Sequence, residues 1–365
     1  MDSHIMDLLN GVSKNYNLEG KIKEVIPYVN GHINDTFRVK FETDDNRCEE
    51  YIFQRINGYV FKEPVKMMNN IKEITLHLHS KQDKTDCDII TFLDNKDGKN
   101  YTIYKEGYWR ICQFVENSIS YETVENPKVL SSAGYAFGRF QYLLSDFPMD
   151  RLYNTIPDFH NTKKRLDAFF DMVELDPLGR VKGLEDEIDF FKEHCSLASK
   201  LVDMEERGEL PIRVTHNDTK YNNILMDRDT SEPLCVIDLD TVMPGLTMYD
   251  FGDAIRFAAN NALEDEQDLS KVELDMEKYE EFTKGFISAC KDILTKNELD
   301  NMALGAIVIT IELASRFLGD HITGDKYFRI HRENHNLDRA RCQIRLAQDM
   351  LKKYDDMCDI VRKYS

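Results

Sequence analysis

Apolar positions fall into two regimes along this chain. In residues 1–116 they form short, partly alternating runs bounded by turn residues. Alternation turns every second side chain to one face of a strand, and it predicts strands at Lys21–Tyr28, Asp35–Phe41 and Glu50–Ile56, with Asn30-Gly31-His32 turning between the first two. Pro64 suits the first turn of a helix, where a missing N–H costs nothing, and helical periodicity follows over Val65–Leu78. Further strands are predicted at Asp88–Leu93, Tyr101–Tyr104 and Tyr108–Phe114. From Asn126 onward the period is helical, broken by the apolar runs Pro211–Thr215 and Leu234–Ile237. Near the C-terminus Ile344, Ala347, Leu351, Tyr354, Cys358 and Val361 recur at steps of three and four. That stripe is too short for a coiled coil and should pack on the helical part. The expectation is an α+β chain, with a β-rich lobe over 1–116 and a helical lobe over 117–365.

Composition narrows the partners. A chain of 365 residues with 42% hydrophobic residues has ordinary globular cores, in about two domains. The net charge of −19 argues against a nucleic-acid backbone or an anionic membrane as partner. It does not argue against ATP, whose phosphates meet a few local groups and a metal. Eight cysteines without a C-x-x-C pair, and no secretory signal, read as reduced thiols in a cytoplasmic protein. The apolar run Ala303–Ile311 is cut by Glu312, short of the roughly 18–20 residues that span a bilayer. A monomer is expected.

The chemistry concentrates in Thr215-His216-Asn217-Asp218-Thr219-Lys220-Tyr221-Asn222-Asn223, followed by Leu234-Cys235-Val236-Ile237-Asp238. A phosphoryl-transfer site needs one carboxylate to take the proton of the attacking hydroxyl. It also needs an amide oxygen and a second carboxylate to hold the magnesium that bridges the nucleotide phosphates. His216, Asp218 and Asn223 fit the kinase loop H-R-D-x-x-x-x-N with Asn217 for the arginine. Lys220 is placed to contact phosphate, and Asp238 ends the second apolar run. The competing reading is a polar turn whose Asn and Asp bond their own backbone. Downstream, Asp250-Phe251-Gly252 spells the kinase D-F-G, but no strand leads into it. It is expected to be an N-cap or a loop-bracing carboxylate opening a helix over Phe251–Ala262. His77 and His79, two apart, fall on different faces of a helix, and His331 and His335 at i,i+4 are not H-E-x-x-H because the Glu comes one place late, so a zinc pair is not expected.

Val214–Phe257 resembles the aminoglycoside phosphotransferase and choline kinase superfamily, which has a protein-kinase-like fold. The strings THNDTKYNNILMD, VIDLDTVMPG and YDFGDAIRF are similar to those of bacterial N-acetylhexosamine 1-kinases, as are Gly31-His32-Ile33-Asn34, Ala262–Glu266 and Glu333–Leu337. The resemblance implies transfer from ATP, with Mg²⁺, to the anomeric hydroxyl of N-acetylglucosamine or N-acetylgalactosamine. It implies Asp218 and Lys220 as catalytic residues and Asn223 and Asp238 as metal ligands. The nucleotide would meet the Gly31 turn, Gln54 and the backbone of Phe114, Val115 and Glu116. The sugar would meet His32, Asp240, Asp253, Arg316 and Tyr327. For Arg316 the plainer alternative is an i,i+4 pair with Glu312. Two departures stand out. Gln54 occupies the third-strand position of the kinase lysine, and Glu73 on the following helix therefore has no lysine partner and reads as solvated. The alternatives are a choline, aminoglycoside or homoserine kinase of the same superfamily, or a kinase-like binding protein without catalysis. A protein kinase is disfavoured, because no A-P-E segment follows Asp238.

Overall fold

The computed structural model describes residues 3–28, 33–81, 88–121 and 127–365, so Gly31 and His32 lie outside the described residues. The first element, α1 (Ser3–Ser13), has no counterpart in the pattern reading. It is followed by β1 (Lys21–Tyr28), β2 (Asp35–Glu42), β3 (Cys48–Ile56), α2 (Pro64–His79), β4 (Asp88–Ile89), β5 (Thr102–Tyr104), β6 (Gly107–Gln113) and β7 (Ser118–Ile119). The helical part begins with α3 (Pro127–Leu143), α4 (Thr162–Leu175) and α5 (Glu185–Glu206). Four short strands follow: β8 (Arg213–Thr215), β9 (Ile224–Asp227), β10 (Pro233–Val236) and β11 (Met243–Gly245). The chain closes with α6 (Thr247–Ala258), α7 (Met276–Cys290), α8 (Lys296–Asp300), α9 (Met302–Thr323), α10 (His335–Lys352) and α11 (Tyr354–Tyr364).

Strands β1-β2-β3-β6-β5 form one antiparallel sheet among the described residues. Its alternation buries Val39, Phe41, Tyr51 and Phe53 with Trp109, and α1 covers that face through Leu9 and Val12. The predicted strand Asp88–Leu93 is divided between two sheets. Residues 88–89 add in parallel to β10, while Leu93 N–H donates to Ile111 O of β6 at 2.9 Å. A six-residue, mostly apolar run therefore stitches the two lobes together, which pattern alone could not distinguish from one continuous strand. The same face joins the lobes through a shared core. Met67, Met68, Ile71 and Ile74 of α2 pack with Phe140, Leu143, Val214, Leu239 and Val242.

In the helical lobe, close approaches are made by glycines. A Cβ on Gly285 would sit 1.9 Å from Ser131 O of α3, and one on Gly252 would sit 2.5 Å from Gly305 O of α9. The glycine of the literal D-F-G is thus a packing residue where α6 crosses α9. Helix α9 is long and apolar enough to cross a membrane by length and composition, but 89% of its apolar window is buried within the fold, which is the signature of a core helix. The C-terminal stripe also packs inward, split into α10 and α11 at Lys353.

Candidate active site

The segment between β8 and β9 folds around its own polar groups. Asn217 sits in the left-handed region at φ 64°, which Asn tolerates through local hydrogen bonding. Its Nδ2 donates to Thr241 O at 2.9 Å, and Thr241 Oγ1 donates to His216 O at 2.7 Å. The His216 ring lies against Phe137 and Phe140 and pairs through Nε2 with Ile237 O at 2.9 Å. Beneath the loop is Asp250. Its carboxylate accepts the amides of His216 and Asn217 at 2.9 and 2.8 Å and the Gln141 amide at 2.5 Å. Asp250 is therefore the loop brace. It is not an N-cap, because α6 starts at Thr247, after the extended Leu246, and places Asp250 in its first turn. Burial raises its pKa, opposed by His216 and those amides.

On this frame Asp218, Lys220 and Asn223 come together. Lys220 Nζ is 3.0 Å from Asp218 Oδ1, and Asn223 Nδ2 donates to Asp218 O at 2.8 Å and Oδ2 at 3.1 Å. Burial works against the charge of Asp218, yet Lys220 and His216 hold its pKa below the usual carboxylate value. Lys220 is correspondingly raised, chiefly by Asp218 and further by Asp253 and Glu264. Asp238 follows β10 in the left-handed region, φ 59°, and its carboxylate accepts no hydrogen bond from the described residues. The residue is exposed, but the surrounding protein and the carboxylates of Asp240 and Asp218 push its pKa up to about 7, against Arg110 and Lys220. This group needs a cation. No three His, Cys, Asp or Glu side chains converge as a metal cage among the described residues. Mg²⁺ asks for less: one or two protein oxygens beside substrate phosphates. Asp238, with the Asn223 Oδ1 left over from its Nδ2 bonds, fits that demand.

Toward the sheet, Gln54 donates to Thr36 Oγ1 at 3.2 Å and accepts from Arg110 Nε at 2.9 Å. Glu73 faces solvent beside Arg151 at 3.4 Å. Between the lobes, the Phe114 amide is already bonded to Glu50 O at 3.1 Å, and its ring lies 3.9 Å under Arg38. The Val115 and Glu116 amides make no hydrogen bond among the described residues. Of the three hinge residues, these two offer free donors and Phe114 does not.

The expected sugar contacts separate into three places. Asp240 is 2% exposed, and both its oxygens are taken, one by Arg110 and one by Asn34 Nδ2 at 2.8 Å. Asp253 holds Arg256 through Oδ1 at 2.9 Å, while its Oδ2 is buried without a partner. Arg316 and Tyr327 touch each other at 3.5 Å, and the guanidinium lies among the rings of Phe159, Tyr327 and Phe328 at 5.6–5.7 Å. The Arg316–Glu312 pair also forms, at 3.7 Å, with Glu312 bonded to His160 Nδ1 at 3.2 Å. Beside it, His160 Nε2 and Tyr249 Oη are buried without partners, their rings 5.4 Å apart. No hydrogen bond or ion pair joins this cluster to the catalytic loop among the described residues. Pattern reading passed over Arg110, His160 and Tyr249, since each earns attention only through partners distant in sequence.

The comparisons with known proteins agree with this frame. The family model described as the phosphotransferase enzyme family matches residues 24–282. Among solved structures, a microcompartment-associated aminopropanol kinase is similar at 13% identity and a TM-score of 0.62, over 97% of this chain and 98% of that one. The choline kinase of Cryptosporidium parvum is similar at 13% identity and 0.60, over 98% and 97%. An amicoumacin kinase solved with AMP-PNP, Ca²⁺ and Ami is similar at 12% identity and 0.59, over 98% and 94%.

Proposed function

The chain belongs to the phosphotransferase enzyme family, and on that premise we propose that it is an ATP-dependent small-molecule kinase acting on the anomeric C1 hydroxyl of N-acetylhexosamines. The observation that carries the kinase reading is Asp218, held ionised by Lys220 and bonded to Asn223 beside the cation-deficient Asp238. Residues 1–116 would bind the nucleotide and 117–365 the acceptor. The C1 oxygen attacks the γ-phosphorus in line. The bond from that phosphorus to the β,γ-bridging oxygen breaks, ADP leaves, and the hydroxyl proton passes to Asp218. A carboxylate of lowered pKa is a weak base, but an anomeric hydroxyl is more acidic than an ordinary alcohol, and positioning supplies most of the catalysis in phosphoryl transfer. Lys220 neutralises the phosphoryl group. Mg²⁺, held by Asp238 and Asn223, would supply charge neutralisation across the phosphates.

The sugar assignment rests on the resemblance of the loop strings. Asp253, with its unpartnered Oδ2, and Arg316 with Tyr327 are the acceptor contacts this reading retains, alongside His32. Asp240 is committed elsewhere. A choline acceptor is disfavoured by one specific feature: the ring cluster of Phe159, Tyr327 and Phe328 already surrounds a guanidinium of the protein itself. The net charge of −19 speaks against nucleic-acid or anionic-membrane partners, and the reading keeps the enzyme a cytoplasmic monomer. A panel of acceptors with Mg–ATP tests the reading. N-acetylglucosamine or N-acetylgalactosamine should give a 1-phosphate by phosphorus NMR. The 1-O-methyl glycoside should be inert, and the 6-deoxy sugar should retain turnover. A 6-phosphate product, or turnover of the glycoside, would sink the 1-kinase assignment and leave the kinase intact.

A further inference from the structure

Phosphoryl transfer needs the nucleotide phosphates fixed against the base, and in kinases a third-strand lysine anchors them. Here that strand offers Gln54. Its partner in register on β6 is Arg110, and directly paired residues share one face of a sheet. Arg110 is 1% exposed. Its Nε donates to Gln54 Oε1 at 2.9 Å, and its Nη1 forms an ion pair with Asp240 of the opposite lobe. The other oxygen of Asp240 takes Asn34 Nδ2 at 2.8 Å, and Asn34 Oδ1 accepts the Asn57 amide at 3.0 Å. Asp240 belongs to the 3₁₀ turn Leu239–Thr241, whose preceding residue is Asp238. A continuous polar chain thus runs from the middle of the nucleotide-facing sheet to the turn that bears the candidate metal ligand. Both members of its central ion pair are buried, so each is held firmly in place by the other. The planar guanidinium donates from Nε and Nη1, separate atoms fixed in one plane, whereas the donors of an ammonium all stem from one rotating nitrogen.

We propose that Arg110 is the positioning residue that stands in for the absent third-strand lysine. By holding Asp240 it fixes the sheet over the Asp238 turn, and so sets where the phosphates of ATP lie relative to Asp218. This rests on the kinase reading of the site. It also accounts for the solvent-facing Glu73, because α2 is docked by the shared core and by Asn70 Nδ2, which donates to Val242 O at 3.1 Å, and needs no lysine partner.

The test uses the full-length protein and two readouts: affinity for Mg–AMP-PNP by calorimetry without acceptor, and steady-state kinetics with ATP and sugar varied separately. Arg110→Met should weaken Mg–AMP-PNP binding and raise KM for ATP about tenfold or more, and should lower kcat, while KM for the sugar stays within about twofold. Arg110→Lys should recover part of the loss. Asp240→Asn should move the same parameters in the same direction. The double variant Arg110→Met/Asp240→Asn should be no worse than Arg110→Met alone, since both break one link. Unchanged nucleotide affinity and kinetics per folded molecule in Arg110→Met, with only a lower Tm, would reduce the residue to a structural one and overturn the proposal. Losses that multiply in the double variant would overturn it too, because Arg110 would then act independently of Asp240. Should Arg110→Met not fold, Asp240→Asn and Arg110→Lys decide, and wild-type ATP parameters in both would overturn the latch. If the wild-type protein does not bind Mg–AMP-PNP, the kinase reading fails first and takes the latch with it.

Discussion

The two sides of the cleft are built differently. On the proposed catalytic side, Asp218, Lys220 and Asn223 lie within the single connection from β8 to β9, where Lys220 and Asn223 both bond Asp218, and Asp238 follows β10. On the nucleotide side, the polar chain draws Asn34, Gln54, Arg110 and Asp240 from four separate segments. The first arrangement is short-range at its centre, with Lys220 and Asn223 on Asp218, and is braced by Thr241 and Asp250 from within the helical part alone. The second exists only once the sheet has its register and the lobes are docked. The catalytic side should therefore tolerate changes in lobe packing but not in its own residues, whereas the nucleotide side should be sensitive to both.

The sharpest way to break this contrast is at the metal. Asp238→Ala should cut turnover about 10³-fold or more, as expected when several kcal/mol of charge stabilisation is lost. Asp250→Ala should instead leave Mg²⁺-dependent turnover in the folded fraction. Its cost should appear in thermal unfolding as roughly 2 kcal/mol, since two buried amides lose their acceptor. Loss of Mg²⁺ dependence in Asp250→Ala alone would reverse the two assignments. Next in size is Asp218→Asn, expected to lower kcat about 10²-fold or more with an unchanged fold by circular dichroism. Near-normal turnover would remove the base from the mechanism.

A third effect follows from charge. The pKa of Asp238 is pushed up to about 7 by its surroundings and by Asp240 and Asp218. A raised carboxylate binds a proton below that pH, and the metal must displace it. Apparent Mg²⁺ affinity, measured by titration of activity, should therefore fall about tenfold from pH 8 to pH 6. A flat profile would mean that Asp238 is ionised throughout and that the neighbouring carboxylates do not act on it as described. The smallest effect belongs to Glu73→Ala. Its partner Arg151 is 3.4 Å away and exposed, so kinetics should be unchanged and stability should shift by no more than about 0.5 kcal/mol. A large kinetic loss there would restore a lysine–glutamate type of coupling to the small lobe and weaken the role assigned to Arg110.

The sequence by itself determined the elements whose information is short-range. The strands β1, β2, β3, β5 and β6 and the helix α2 match their predicted spans to within two residues, because alternation and helical period are local signals. The grouping of Asp218, Lys220 and Asn223 is short-range too, since Lys220 and Asn223 reach Asp218 from two and five residues away, but the loop that carries them is held by the distant Ile237, Thr241 and Asp250. Tertiary structure alone decided the rest. It split Asp88–Leu93 between two sheets, started α6 at Thr247, and placed Gly252 against Gly305. It also paired Asp240, which the resemblance implied as a sugar contact, with the distant Arg110. In each case the deciding interaction is long-range. A strand's pairing partner, a helix crossing and a buried ion pair all depend on which surfaces meet, and the pattern of one segment does not contain the surface that it will meet.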